Sequence, residues 1–510
     1  MEPPTTPATC LDVAAAVAGA TGRVLAVAGR PVTHLAETLS GLPDFEWAVG
    51  EKSAVESAVG LSAAGVRSCA VMKHNGLAAA LDPLANAAVH GIGAGLVVVS
   101  GDDLDAAAST TLNDSRALGR LAGVPVLDPA GPDDARAAVR DAFALSERTG
   151  VPVIVRVTSA LHADCSGGRV QGRPGPADAD RRSMAAARPG RPGPDPADAG
   201  RRVDPVVAHR LTKLGRHQHR RLVVQPAVQA EVDGHATAAC STTCDDAVIA
   251  IGAAQRHVAD DGCCTLRVRA GWPLPAAAVA FADRHARVLV VEEPLPFAEH
   301  LIREGAADRT RVRGRLTGHL PPEGSLSPAL LRRAWADPPG AWTDIARKPD
   351  DQPPPRRYAT LYAALAGLDV FVAADVGSSI RLCYPPYSAA EVALGLGSAV
   401  AVAGGAARTG RPAIGVIGDY ALLHSGMESL LDTALRRLPV LVTVLANGTQ
   451  AQTGGQPVPP VDLRRLAGAL SIGVVDEWAD AALDVAATRR RLAGLLAGPL
   501  PALALVRDAA

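Results

Sequence analysis

The chain has 510 residues, 48% of them hydrophobic and 20% charged, with a formal net charge of −1. This length exceeds one ordinary core and suggests about three domains, and the composition excludes a disordered chain. With 3% aromatic residues and no basic surplus, nothing points to nucleic acid. The N-terminus has no basic region followed by an apolar one, so no signal peptide is read. The longest apolar run, Val392 to Ala407, falls short of the ~20 residues of a membrane span. Its Gly and Ala content suits a buried helix packed closely on a neighbour, and the expected location is the cytoplasm.

In chain order, the first block covers residues 11–163. Val24–Ala28, Ser68–Met72, Gly95–Ser100 and Val151–Val157 read as buried parallel strands, with amphipathic stretches such as Ala54–Ala64 between them. Residues 166–204 are loaded with Arg, Pro, Gly and Asp and read as a disordered linker. The middle block, 205–337, offers strands at Ala247–Gly252 and Val288–Val291. A Pro-rich connector leads to the last block, 358–510, with strands at Val370–Ala374, Ala413–Ile417, Val440–Leu445 and Ala502–Val506. The alternation is that of doubly wound α/β domains, and the first and last blocks look like two versions of one architecture. Eight cysteines occur without any CxxC, and Cys240, Cys244, Cys263 and Cys264 fall close together. A metal site there is the lesser reading, because such sites need tighter, repeated spacing. Scattered reduced thiols are the greater.

The strongest local signal is AIGVIGDYALLHSGMESLLDTALRRLPVLVTVLANGTQAQTG. One apolar strand ends in Gly418-Asp419 and a second in Asn447-Gly448-Thr449. Two parallel strands would deliver a carboxylate and an amide oxygen to the same carboxyl edge, where such folds bind ligands. Both are hard oxygen ligands suited to Mg²⁺, and Gly418 and Gly448 allow close approach of a phosphate. A second signal is EWAVGEKSAVESAVGLSAAGVRSCAVMKHNGL, in which Glu51 opens a helix after a short strand and His74 follows another. Taken alone, Glu51 reads as a carboxylate favoured by its helix dipole, and Glu56 as a surface residue. His74 reads equally as a proton-transfer or substrate-contact group and as a hydrogen-bonded structural histidine.

The stretch around Asp419 resembles the Mg²⁺–diphosphate motif of thiamine-diphosphate enzymes. The wider wording GDY…HSG…NGTQAQTGGQP is similar to the alpha subunit of indolepyruvate:ferredoxin oxidoreductases, and so are MKHNGL and WPLPAAAVAFADRHARVLVVEEPLPFAEHLIREG. The resemblance covers nearly all the chain outside the linker. It implies three α/β domains of the thiamine-diphosphate-binding fold: pyrimidine-binding, transketolase-C-like and diphosphate-binding. It implies thiamine diphosphate and Mg²⁺ as cofactors, with Asp419, Asn447 and the Thr449 carbonyl as metal ligands. Gly418, Tyr420, His424, Ser425, Gly426 and Leu396 join them as cofactor-binding residues. Glu51, with His74, becomes the catalytic residue, contacting the pyrimidine ring so that the thiazolium can be deprotonated. Val291 to Glu293 is given an architectural role, in dimer packing.

Three departures stand out. Tyr420 and Gly455 occupy positions where the family often has Gly and His, and DVGSSIRLC at Asp375 to Cys383 lacks a Cys directly after the Gly. The chain also carries no cysteine after Cys383, where the family continues into an iron–sulfur domain. The expected function is therefore decarboxylation of a 2-oxo acid, aromatic such as indolepyruvate, with a non-oxidative outcome: carboligation to a second acyl or carbonyl acceptor. The alternatives are an oxidoreductase subunit with a separate iron–sulfur partner, and a catalytically inactive scaffold subunit. A homodimer is expected, with no nucleic-acid or membrane partner.

Overall fold

Runs of Val, Ile, Leu and Ala between Ala-rich helices become the interior strands of three sheets. The computed structural model describes residues 9–21, 23–161, 211–240, 244–259, 264–335, 339–345 and 357–508. The segment read as a linker, 166–204, lies outside the described residues, as does Cys263. The chain divides into two units, Met1–Asp344 and Ile345–Ala510.

The first unit holds two sheets. One is built from β1 (Arg23–Ala26), β2 (Asp44–Trp47), β3 (Ser68–Lys73), β4 (Leu96–Asp102), β5 (Val126–Leu127) and β6 (Val153–Thr158). The other takes β7 (Ala236–Ala239), β8 (Asp246–Ile251), β9 (Cys264–Val268), β11 (Arg287–Val291) and β12 (Val312–Arg313), while β10 (Ala270–Trp272) pairs antiparallel with β5 of the first. The second unit holds β13 (Phe371–Ala374), β14 (Val392–Ala393), β15 (Ala413–Gly418), β16 (Val440–Ala446), β17 (Val474–Ala479) and β18 (Ala502–Arg507), all parallel.

Strand order is β2-β1-β3-β4-β6-β5-β10 in the first sheet and β14-β13-β15-β16-β18-β17 in the third. Numbered within each sheet, both begin 2-1-3-4-6-5. Alternate residues of the interior strands feed separate apolar clusters on the two faces: Val97 and Val99 on one side of β4, Leu96 and Val98 on the other. The third sheet does the same, with Val440 and Val442 opposite Leu441. Burial on both faces is why these strands are legible as continuous apolar runs.

Two expectations need correction. The run Val392 to Ala407 is not one helix: it begins as β14, turns through Gly395–Ser398, and only Ala399–Ala407 is helical. The close packing does hold there, since a Cβ on Gly415 would meet the Ala399 carbonyl oxygen at 2.9 Å. The second concerns the thiols. Cys240 and Cys264 are joined as a disulfide, because Ala239 pairs with Thr265 in the antiparallel β7–β9 ladder and the next pair brings them face to face. Among the described residues no helix is long and apolar enough to cross a membrane.

The Val291–Glu293 segment has an architectural role within the first unit. Glu292, fully buried, accepts from Arg116 at 2.7 Å and from the backbone of Ala298 and Glu299. Glu293 pairs with Arg256 and accepts from the Leu326 N–H. Its carbonyl takes Arg116 and Arg156, which ties the second sheet to the first.

Candidate active site

β15 and β16 are in register, with Gly418 opposite Leu445, so both strands end at the same edge. Asp419 follows directly as the first residue of a short helix and is buried. Its carboxylate accepts from the Gly448 N–H at 2.7 Å and the Tyr420 N–H at 2.8 Å. Burial raises its pKa above the ordinary carboxylate range, against the pull of these backbone donors. Among the described residues no cationic side chain pairs with it. Asn447 turns its Oδ1 back onto the Thr449 N–H at 3.0 Å, which leaves that oxygen a second lone pair.

Gly448 sits at φ +69°, a left-handed conformation that disfavours any side chain. A Cβ on Gly448, Gly418, Gly377 or Gly455 would meet nothing within 4 Å. The edge is therefore a backbone-lined hollow. A cavity of about 540 Å³ opens beside Asp419 and Gly448, and another of about 640 Å³ lies along Thr449, Gly454 and Gly455 with Arg381 and Tyr362. A buried carboxylate beside an amide oxygen, in front of glycines with open space, fits a divalent cation carrying a diphosphate.

The other residues expected to bind the cofactor lie on the helix that follows Asp419 and in the turn before helix Ala399–Ala407. After Asp419 the helix widens into one π turn, Leu422–Gly426, which carries His424, Ser425 and Gly426. His424 and Ser425 contact each other, and the Tyr420 and His424 rings lie 5.5 Å apart. Leu396 sits in the turn before helix Ala399–Ala407, partly buried against the core. The adjoining Gly397, at φ +85°, presses on Ser425: a Cβ there would meet the Ser425 backbone carbon at 2.7 Å.

Asp375 was not singled out from the sequence, yet it organises this turn. Fully buried at the end of β13, it accepts from the Gly397 N–H at 2.9 Å, and burial pushes its pKa up to about 6. The signal was available, since a carboxylate directly follows an apolar strand, as at Asp419. β13 and β15 are strands 1 and 3 of the 2-1-3-4-6-5 order, so Asp375 and Asp419 flank the topological switch point, where open α/β sheets bind ligands.

In the first unit, Glu51 opens helix Glu51–Ala63 after β2, is buried, and lies over Gly76: a Cβ there would meet its carboxyl carbon at 2.6 Å. Lys73, at the end of β3, is attracted to Glu51 and Asp103. Burial outweighs both and lowers its pKa. Its Nζ donates to the Ala108 carbonyl at 3.0 Å and to Ser109 Oγ at 2.9 Å. His74 is fully buried, with its ring nitrogens 3.2 Å from the carbonyls of Gly101 and Thr111. The Asp103 N–H also donates to Nδ1 at 3.2 Å, so backbone groups meet both ring nitrogens. Glu56 is exposed and pairs with Lys52, as expected of a surface residue.

Residues 375–477 match the family model described as thiamine pyrophosphate enzyme, C-terminal TPP binding domain, a span that includes Asp419 and Asn447. The chain is similar to the indolepyruvate oxidoreductase subunit IorA of Methanothermobacter thermautotrophicus, with 31% identity over 491 residues, 88% of this chain and 76% of that protein. It is similar to the IorA of Archaeoglobus fulgidus at 29% over 476 residues, 86% of this chain and 73% of that protein. Among solved structures, a 2-oxoglutarate:ferredoxin oxidoreductase from Magnetococcus marinus overlays at a TM-score of 0.47 and 18% identity, covering 64% of this chain and 63% of that one.

Proposed function

We propose that this chain, which belongs to the indolepyruvate oxidoreductase subunit IorA family, binds thiamine diphosphate with Mg²⁺ and decarboxylates a 2-oxo acid. The observation that carries this reading is the buried Asp419 carboxylate, held by the Tyr420 and Gly448 N–H groups beside Asn447, facing glycines with open space in front of them. The bound cofactor supplies the nucleophile and electron sink that a 2-oxo acid needs to lose CO₂. Asp419 and Asn447 ligate Mg²⁺ through oxygen, joined by the Thr449 carbonyl, and the cation stabilises the charge that burial disfavours at Asp419. Gly418 and Gly448 admit the diphosphate, while Tyr420, His424, Ser425, Gly426 and Leu396 shape its surroundings. Glu51 accepts a hydrogen bond from the pyrimidine end, where a buried carboxylate is a stronger partner than any neutral group.

The fate of the carbon left after CO₂ departs divides two readings. Oxidation, with electrons passed to a partner subunit, is supported by the names of the relatives. Carboligation to an acyl or carbonyl acceptor is supported by Gly455: open space replaces the imidazole usual in the family at the rim of the cavity beside Thr449. We favour the oxidative reading, on an aromatic acid such as indolepyruvate, in a homodimer with such a subunit. The test is a panel of 2-oxo acids with thiamine diphosphate and Mg²⁺, following CO₂, dye reduction and product mass. Cofactor-dependent CO₂ with dye reduction is expected. A C–C coupled product without dye reduction selects carboligation, and CO₂ release independent of the cofactor removes the proposal. Sedimentation as a monomer with cofactor bound would exclude the dimer.

A further inference from the structure

The second sheet holds a cluster that the decarboxylation site does not use. Cys240, at the end of β7, is exposed, whereas Cys264, at the start of β9, is fully buried. They face each other across the antiparallel ladder with Cα atoms 4.4 Å apart. The buried His285 lies just past helix Ala276–Asp283. One ligand atom from each of the three residues lies within 4.8 Å of the others. Zinc bonded to sulfur at ~2.3 Å and nitrogen at ~2.0 Å holds its ligand atoms at spacings of this order. The His285 ring is also oriented: its Nδ1 lies 2.8 Å from the Phe281 carbonyl and donates to it. That bond fixes the tautomer and leaves Nε2 with a lone pair, the arrangement seen where a histidine ligates a metal. The Phe281 ring, 4.3 Å from the imidazole, restrains its tilt.

We propose that Cys240 and Cys264, when reduced, bind one zinc ion together with His285, so that the pair alternates between a disulfide and a metal site. A dithiol reductant passes two electrons and two protons to the two Sγ atoms and leaves as its own disulfide. Zinc then displaces both thiol protons, releasing two H⁺ per ion, and accepts the nitrogen of the neutral imidazole. Water takes the fourth position from the solvent side, where Cys240 is exposed. Zinc thereby pins β7 to β9 and to the helix that precedes His285, taking over the link that the disulfide provides.

The test uses the full chain, reduced by a phosphine under argon and titrated with zinc alone, then with cobalt(II) as a spectroscopic probe. One zinc per chain and a thiolate-to-cobalt charge-transfer band are expected, with Cys240 and Cys264 protected from alkylation by the metal. Cys240→Ser, at an exposed position, and His285→Gln should each weaken zinc binding by more than about tenfold while thiamine diphosphate affinity stays unchanged. Failure of the reduced chain to take up stoichiometric zinc overturns the proposal, and so does uptake that is insensitive to both substitutions. A Cys240–Cys264 bond that resists reduction in the folded chain overturns it as well. None of these outcomes depends on cofactor turnover, so they stand apart from the fate of the proposed decarboxylation.

Discussion

The first and third sheets share the strand order 2-1-3-4-6-5, but their equivalent strand ends are furnished in opposite ways. In the third sheet, strands 3 and 4 end at Asp419 and Asn447. In the first, they end at Lys73-His74 and at Asp102-Asp103. The switch point of the third sheet is hollow, with nothing in front of Gly377 and Gly418. That of the first is filled by Lys73, whose Cδ would sit 2.8 Å from a Cβ on Gly29. Asp419 is buried with no cationic side chain paired to it among the described residues. Asp102 is buried on Arg156 at 2.6 Å, and the other branch of that guanidinium takes Asp128 at 2.6 Å. One topology thus delivers polar residues to one kind of edge twice. The charge partners decide whether the edge becomes a packed ionic network or an open hollow.

The largest expected effect tests the packed side. Arg156→Leu removes a buried cation and leaves Asp102 and Asp128 unpaired, which should cost about 3–5 kcal/mol, read as a fall in the urea midpoint. A change below ~1 kcal/mol would show that water reaches the network. Next is Glu51→Gln, which keeps shape and fold but loses the charged acceptor. Turnover should fall about a hundredfold, ~3 kcal/mol, with little change in cofactor affinity. Deuterium exchange at C2 of bound thiamine diphosphate checks it directly, and parental exchange rates would remove Glu51 from catalysis.

The hollow side predicts the reverse balance. Asp419→Ala should lower affinity for thiamine diphosphate with Mg²⁺ more than about tenfold in calorimetry, while melting without cofactor is unchanged or slightly raised, because a desolvated charge has gone. Unaltered affinity would take Asp419 out of the site. The smallest effect concerns Asp375. Its folded pKa of about 6 lies above its ordinary value of 3.8, so its contribution to stability is complete below pH 3.8 and is lost as pH rises through 6. Asp375→Asn should flatten the stability profile of the cofactor-free chain between those values. An unchanged profile would mean that another group titrates there.

The sequence by itself determined the α/β alternation, the interior strands and the Asp419–Asn447 pair, since strands buried on both faces are continuous apolar runs and these two polar residues sit at their ends. It missed the edge strand β17, which carries Asp476 and Glu477, paired with Arg491 and Arg464, and so presents no apolar run. The edge strand β2 alternates exposed and half-buried residues and was legible only as a short strand before Glu51. Only the tertiary structure decided the rest. His74 and Asp375 are each a polar residue after a strand, indistinguishable by position from Asp419. His74 is met by two carbonyls, from a neighbouring strand end and a loop, that close on its ring. Asp375 became an organiser because a distant turn brings Gly397 to it. Likewise Cys240 and Cys264 are 24 residues apart in the chain, and the β7–β9 register makes them neighbours. Strand ends are local properties of a sequence, but the partner that meets each one comes from another part of the chain.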